Sequence, residues 1–312
     1  MKILKILLGV CLVAGLAAVL YFFGFRDRGV FIYPGVEGPA GGIVVPPAEV
    51  TSWHHYQGGT SSRLAVLLTD EKAPWLGLVH GLKSAGIPFT VTTDYREAIA
   101  HKVVLVYPMI AGSVLSPEAL RALAMVPGNG GTLIATNVLG GGMNQLFGFS
   151  EAQPSLKRQS LRIEKAPVGE LLLADEKETT IPLGDGDKNS FGCYGYLSPK
   201  EKPIAVYDDG SAAITRRDIG NGHAYAFGLD LGAYFSMGYN NRETRVARSY
   251  VNDYEPAIDV LLRLLQEMYR AGESRAVTIG TVPEGKDLAV IISHDIDYTR
   301  SLKNSIDYAA FE

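Results

Sequence analysis

Residues 63–93 read RLAVLLTDEKAPWLGLVHGLKSAGIPFTVTT. The run 63–70 is apolar without polar alternation, as in a strand covered on both faces. Residues 74–86 predict a helix closed by Gly86, and 89–93 a second strand rich in β-branched residues. A strand, a helix and a strand within about thirty residues are one βαβ unit, and this unit sets the fold class.

Working outward, the alternation continues. Strands are expected over 102–108 and 131–138, and a helix over 116–126 that opens on Ser116 as N-cap with Pro117 at its first position. After Phe149 the apolar runs shorten. Residues 203–232 read as strand, Asp-Asp-Gly turn, strand, Gly-Asn-Gly turn, strand. Ile258, Leu261, Leu262, Leu265 and Met268 form one apolar stripe on a helix expected over 255–272. The expected fold is α/β, with a Rossmann-like parallel-sheet domain over 63–272, a connector over 273–286 and a new strand opening at Asp287.

Composition narrows the function classes. The 312 residues are 47% apolar, enough for a sizeable core, and 29 basic against 33 acidic residues give a net charge of -4. No Lys/Arg block follows the N-terminus, so nucleic acid is not an expected partner. Lys2 and Lys5 precede an uncharged run from Ile6 to Phe25. That pattern predicts a transmembrane signal anchor over 1–28, favoured over a cleaved signal because bulky residues follow Ala17-Ala18. The Gly/Pro-rich stretch 29–62 then reads as a tether, and the expected localisation is membrane-anchored, with the rest periplasmic or extracellular. Of the two cysteines only Cys193 lies beyond the anchor, which excludes a disulfide framework there.

Several motifs carry two readings each. Trp53-His54-His55-Tyr56 has adjacent histidines that face opposite sides of an extended chain, so a surface or docking role is preferred to a metal site. The glycines in VLGGGMNQ (138–145) lack the G-x-G-x-x-G spacing and a lysine, which favours a tight turn over a nucleotide loop. Tyr207-Asp208-Asp209-Gly210 is a hairpin turn by position. Between 234 and 256, Tyr234, Tyr239, Asn240 and Arg242 are candidate glycan-facing residues, because aromatic faces stack on sugar rings while amides and guanidinium groups bond hydroxyls. The competing reading is a packed connection into the helix over 255–272.

Over about 63–232 the pattern resembles the class I glutamine amidotransferase-like fold. Active members place a Cys nucleophile on a sharp turn after a central strand; here that turn reads Asn137-Val138-Leu139-Gly140. The resemblance therefore implies a non-catalytic relative.

The second resemblance lies in DLAVIISHDIDYT (287–299). Side chains alternate along a strand, so Ser293, Asp295 and Asp297 share one side, and two such carboxylates at a strand end suit metal-assisted hydrolysis. The stretch resembles the start of a NodB-type polysaccharide deacetylase, carbohydrate esterase family 4. The resemblance implies Asp295 as general base, Asp297 as ligand of a divalent metal, usually zinc, and removal of acetyl groups from an N-acetylated polysaccharide. It also implies a (β/α) barrel of which 287–312 is the first strand and helix. None of the six histidines makes the family's H-x-x-x-H pair, so the expectation is the N-terminal portion of a longer enzyme, inactive alone. The alternative is a non-catalytic, membrane-tethered glycan-binding or scaffolding module.

Overall fold

The computed structural model describes residues 9, 12–20, 51–164, 179–184, 191–240, 258–280, 282 and 286. The chain divides into two units, Met1–Val50 with Val290–Glu312 and Thr51–Ala289. In the first unit the described residues, Gly9 and 12–20, are helical and exposed. Among the described residues no helix is long and apolar enough to cross a membrane. This overturns the expected anchor and with it the membrane-anchored localisation. The remainder of 1–28, the tether up to residue 50 and the deacetylase-like stretch 287–312 lie outside the described residues.

In the second unit the strands are β1 (Leu64–Leu68), β2 (Phe89–Thr92), β3 (Val103–Tyr107), β4 (Thr132–Thr136), β5 (Glu151–Ser155) and β6 (Ser160–Ile163). They continue as β7 (Thr180–Pro182), β8 (Cys193–Leu197), β9 (Ala205–Tyr207), β10 (Ala212–Ile219) and β11 (Gly222–Phe227). The helices are α1 (Trp75–Ser84), α2 (Tyr95–Ala98), α3 (Pro117–Gly128), α4 (Leu231–Asn240) and α5 (Ile258–Gly272). Among the described residues all 11 strands join one sheet, ordered β2-β1-β3-β4-β11-β10-β9-β6-β7, with β8 on β10 and β5 on β8. From β2 to β11 neighbours run parallel, and from β11 onward they run antiparallel.

The mixed sheet corrects the expected Rossmann-like parallel domain. The shorter strands after Phe149 extend the same sheet in antiparallel pairing. The joint is the β10–β11 hairpin, whose Ile219↔Gly222 pairing leaves two residues for the turn. So short a link permits only antiparallel neighbours, while β11 on its other side lies parallel to β4.

Alternation along the buried strands builds a core on each face. Leu64, Val66, Val103, Leu105, Tyr107, Ile134, Tyr225 and Phe227 face the layer of α1, α4 and α5, represented by Leu78, Phe235 and Leu262. Ala65, Leu67, Val104, Val106, Leu133 and Ala135 face the layer holding Ala98 of α2 and Leu120 and Leu123 of α3. As expected, Ser116 caps α3: its Oγ accepts the Ala119 N–H at 3.2 Å.

The sheet edge at β2 is covered by the segment that carries the Trp-His-His-Tyr motif. Residues Trp53–Tyr56 form one 3-10 turn. Trp53 is 8% exposed, and its Nε1–H donates to Glu71 Oε2 at 3.0 Å. The Tyr56 ring packs on Phe89 and Trp75, with centroids at 5.6 and 6.3 Å. Its carbonyl accepts from Thr90 Oγ1 at 3.2 Å. The motif docks, but onto its own chain.

Candidate functional site

In parallel α/β sheets, ligands bind beyond the carboxyl ends of the strands. Here those ends carry Thr69, Tyr107, Asn137 and Asp230. Asn137 follows β4, the strand whose turn would bear a nucleophile in an amidotransferase-like fold. Its φ is 45°, in the left-handed region that asparagine tolerates better than most residues. It is 8% exposed; Nδ2 donates to the Pro108 carbonyl at 3.1 Å, while Oδ1 is buried without a partner. The turn after β4 therefore holds an amide, on a left-handed backbone, at the position where the resemblance would put a thiol. An amide cannot supply a nucleophile there.

Tyr107, at the end of β3, donates its hydroxyl to Asp230 Oδ1 at 2.6 Å. The Ala233 N–H reaches the same oxygen at 2.9 Å, so Asp230 caps the start of α4. Burial raises the Asp230 pKa above the ordinary carboxylate range, and bonds from Ala233, Tyr107 and Gly232 offset only part of it. Burial and the adjacent carboxyl likewise raise the Tyr107 phenol. The sequence reading placed Asp230 inside a late strand; the missed signal was an Asp directly before the apolar run of α4.

Beside Asn137 the chain turns through Gly140, Gly141 and Gly142 at φ of 85°, 66° and 80°. Only glycine enters three successive left-handed positions cheaply, so the tight-turn reading of VLGGGMNQ holds here. A cavity of 440 Å³ lies between this turn and α3, lined by Gly112, Leu120, Arg121, Gly141, Gly142 and Met143 among others.

The other chemistry-bearing cluster sits in the antiparallel half. Arg158, 2% exposed, donates from Nε to Asp209 Oδ2 at 2.7 Å and lies over the Tyr207 ring at 4.9 Å. Its Nη1 is 3.9 Å from Cys193 Sγ. Burial raises the Cys193 thiol despite that guanidinium, so the lone described cysteine is not an activated nucleophile. Asp209 also accepts from Ser211 within the Asp-Asp-Gly turn between β9 and β10, which fits the hairpin reading of that motif.

The remaining predicted residues are placed as follows. Tyr234 is not glycan-facing: it is fully buried, donates to the Pro182 carbonyl at 2.8 Å and meets Phe191 edge-on at 5.7 Å. Its period on α4 turns it into the core, which composition alone did not reveal. Tyr239 and Asn240 end α4. Arg242, Asp295 and Asp297 lie outside the described residues. Among the described residues no group of three or more His, Cys, Asp or Glu could hold a metal. His101 bonds the Arg63 carbonyl, His223 pairs with Asp218, and His54 pairs with Ser52.

The chain has weak structural similarity to a carbohydrate deacetylase. That protein, Agd3, aligns at 15% identity and a TM-score of 0.38, over 55% of this chain and 30% of its own. A beta-galactosidase from Bacillus circulans sp. alkalophilus aligns at 17% identity and 0.37, over 55% of this chain and 29% of its own. A cytoplasmic protein from Salmonella typhimurium aligns at 10% identity and 0.42, over 65% of this chain and 98% of its own. The chain thus spans less than a third of the length of the two carbohydrate enzymes. No family model matches the sequence, so neither the deacetylase nor the amidotransferase resemblance has family-level support. No curated protein matches it either.

Proposed function

We propose that the chain is the N-terminal portion of a hydrolase that removes N-acetyl groups from a polysaccharide. The observation that carries this reading is the apolar run 288–292 ending in Ser293-His294-Asp295-Ile296-Asp297. Asp295 takes the proton of the water that attacks the acetyl carbon; the C–N bond breaks, acetate leaves and the sugar nitrogen becomes a free amine. Asp297 is the candidate ligand of a divalent cation, zinc by the resemblance. Among the described residues no group of three or more His, Cys, Asp or Glu could hold a metal by itself. The described α/β domain supports a non-catalytic role for itself, since Asn137 stands at the nucleophile turn and Cys193 is buried with a raised pKa.

The test is to express the coding frame through its own stop and measure acetate released from an N-acetylated hexosamine oligomer. Release that depends on zinc and falls roughly 10²–10⁴-fold in Asp295→Asn supports the reading. A frame without an H-x-x-x-H pair, or release indifferent to Asp295, removes it and leaves a glycan-binding module as the alternative.

A further inference from the structure

The cavity of 440 Å³ between the Gly140–Gly142 turn and α3 plays no part in the proposed hydrolysis, and its walls differ in chemistry. One wall is apolar. Leu120 and Met143 are 8% and 2% exposed, and Ala124 and Pro117 lie beside them. The other wall is backbone from two loops. Gly112, after β3, meets Gly141, after β4, so closely that a Cβ on Gly141 would sit 3.1 Å from the Gly112 nitrogen and 3.0 Å from Leu120 Cδ1.

The donors of these loops can be accounted for one by one. The Leu139 N–H goes to the Ile110 carbonyl, the Gly140 N–H to Asn144 Oδ1 and the Met143 N–H to the Gly140 carbonyl. The N–H groups of Gly112, Gly141 and Gly142 have no acceptor among the described residues. Clustered backbone donors of this kind suit an anion. Arg121 lines the same cavity; it is exposed and has no hydrogen bond or ion pair among the described residues. Glu118, one turn before it on α3, is engaged elsewhere, accepting from the Tyr95 hydroxyl at 2.6 Å and pairing with Arg96 at 3.2 Å.

We propose that this cavity binds a carboxylate carried on a short apolar chain. Arg121 and the glycine N–H groups hold the anion, and Leu120, Met143 and Ala124 cover the tail. Inorganic phosphate matches less well. One guanidinium near the Glu118 carboxylate balances a single negative charge, and phosphate has no tail for the apolar wall. Two sources present the required group, a free aliphatic acid and the C-terminal residue of a peptide.

The experiment titrates hexanoate into the full chain by calorimetry, with hexanol and inorganic phosphate as the tail and the anion taken separately. The expected result is saturable binding, at least about tenfold tighter than either of those two and weakened about tenfold or more in Arg121→Gln. Ala124→Leu, which puts a larger side chain into the cavity, should abolish it. Arg121 is exposed and unpaired, so Arg121→Gln keeps the parent's melt and carries the test by itself if Ala124→Leu fails to fold. A peptide ending in leucine, as free acid and as amide, separates the sources. Binding of the acid form alone, tighter than hexanoate, assigns the ligand to a chain end; hexanoate binding without peptide binding assigns it to a free acid. The proposal is overturned by hexanol or phosphate binding as tightly as hexanoate, by an affinity unchanged in Arg121→Gln, or by no saturable hexanoate binding up to about 10 mM.

Discussion

At the scale of single residues, Asn137 and Asp230 hold unusual states that can be measured apart from any activity. Asn137 combines a left-handed backbone with one side-chain bond to Pro108. Glycine removes the bond and relieves the backbone, whereas alanine removes the bond and keeps the strain. Asn137→Gly should therefore cost about 1 kcal/mol and Asn137→Ala about 2 kcal/mol or more, read as urea midpoints at constant slope. Asp230 sets a pH dependence. Its folded-state pKa is raised, so the folded chain keeps a proton that the unfolded chain releases, and stability falls as pH rises from the ordinary carboxylate value through the raised one. Asn at 230 keeps an oxygen for Tyr107 and Ala233 but does not titrate. The melting temperature of Asp230→Asn should fall less steeply than the parent's over that window; parallel curves would show that Asp230 carries no such linkage. Neither residue announced this in the sequence. The nucleophile-turn position of Asn137 was legible from the strand before it, but its orphaned Oδ1 depends on packing by β3 and β11.

At the scale of elements, α1 and α4 approach each other closely at two glycines. A Cβ on Gly77 would be driven into the Gly232 carbonyl and Ser236, and one on Gly232 into the Tyr107 hydroxyl and the Pro74 carbonyl. Backbone atoms cannot yield as a flexible side chain does, so Gly77→Ala should destabilise by about 1–3 kcal/mol in denaturant titration. Gly128→Ala, which meets nothing within 4 Å, is the matched control and should differ little from the parent. The elements themselves were readable where burial was complete. The runs over 63–70, 102–108 and 131–138 became β1, β3 and β4 because continuous apolar sequence has one reading in a sheet covered on both faces. Pairing partners were not readable, since period-two alternation is the same whether a neighbour is parallel or antiparallel. The Gly-Asn-Gly turn announced the β10–β11 hairpin, but that ambiguity hid the parallel pairing of β11 with β4, through which the antiparallel strands join the parallel ones in one mixed sheet.

At the scale of the molecule, both hydrophobic cores are built from residues between Trp53 and Ala276. A chain restricted to residues 51–286 should therefore melt cooperatively, with a urea midpoint close to that of all 312 residues. Because it lacks Asp295 and Asp297, the residues on which the proposed chemistry rests, it should release no acetate. Zinc retained there at one equivalent would move the metal chemistry away from Asp297. The deacetylase-like motif was the most specific stretch of the sequence, yet 287–312 lies outside the described residues, so its test belongs to solution chemistry. The β10–β11 joint also governs how the chain is made. On the ribosome, β4 emerges long before β11, its parallel neighbour, and until residues 222–227 arrive β4 is itself a bare, apolar edge. Ordering the centre of the sheet last makes folding depend on a distant contact, and a chain terminated short of Gly222 would expose β4 as an aggregation surface.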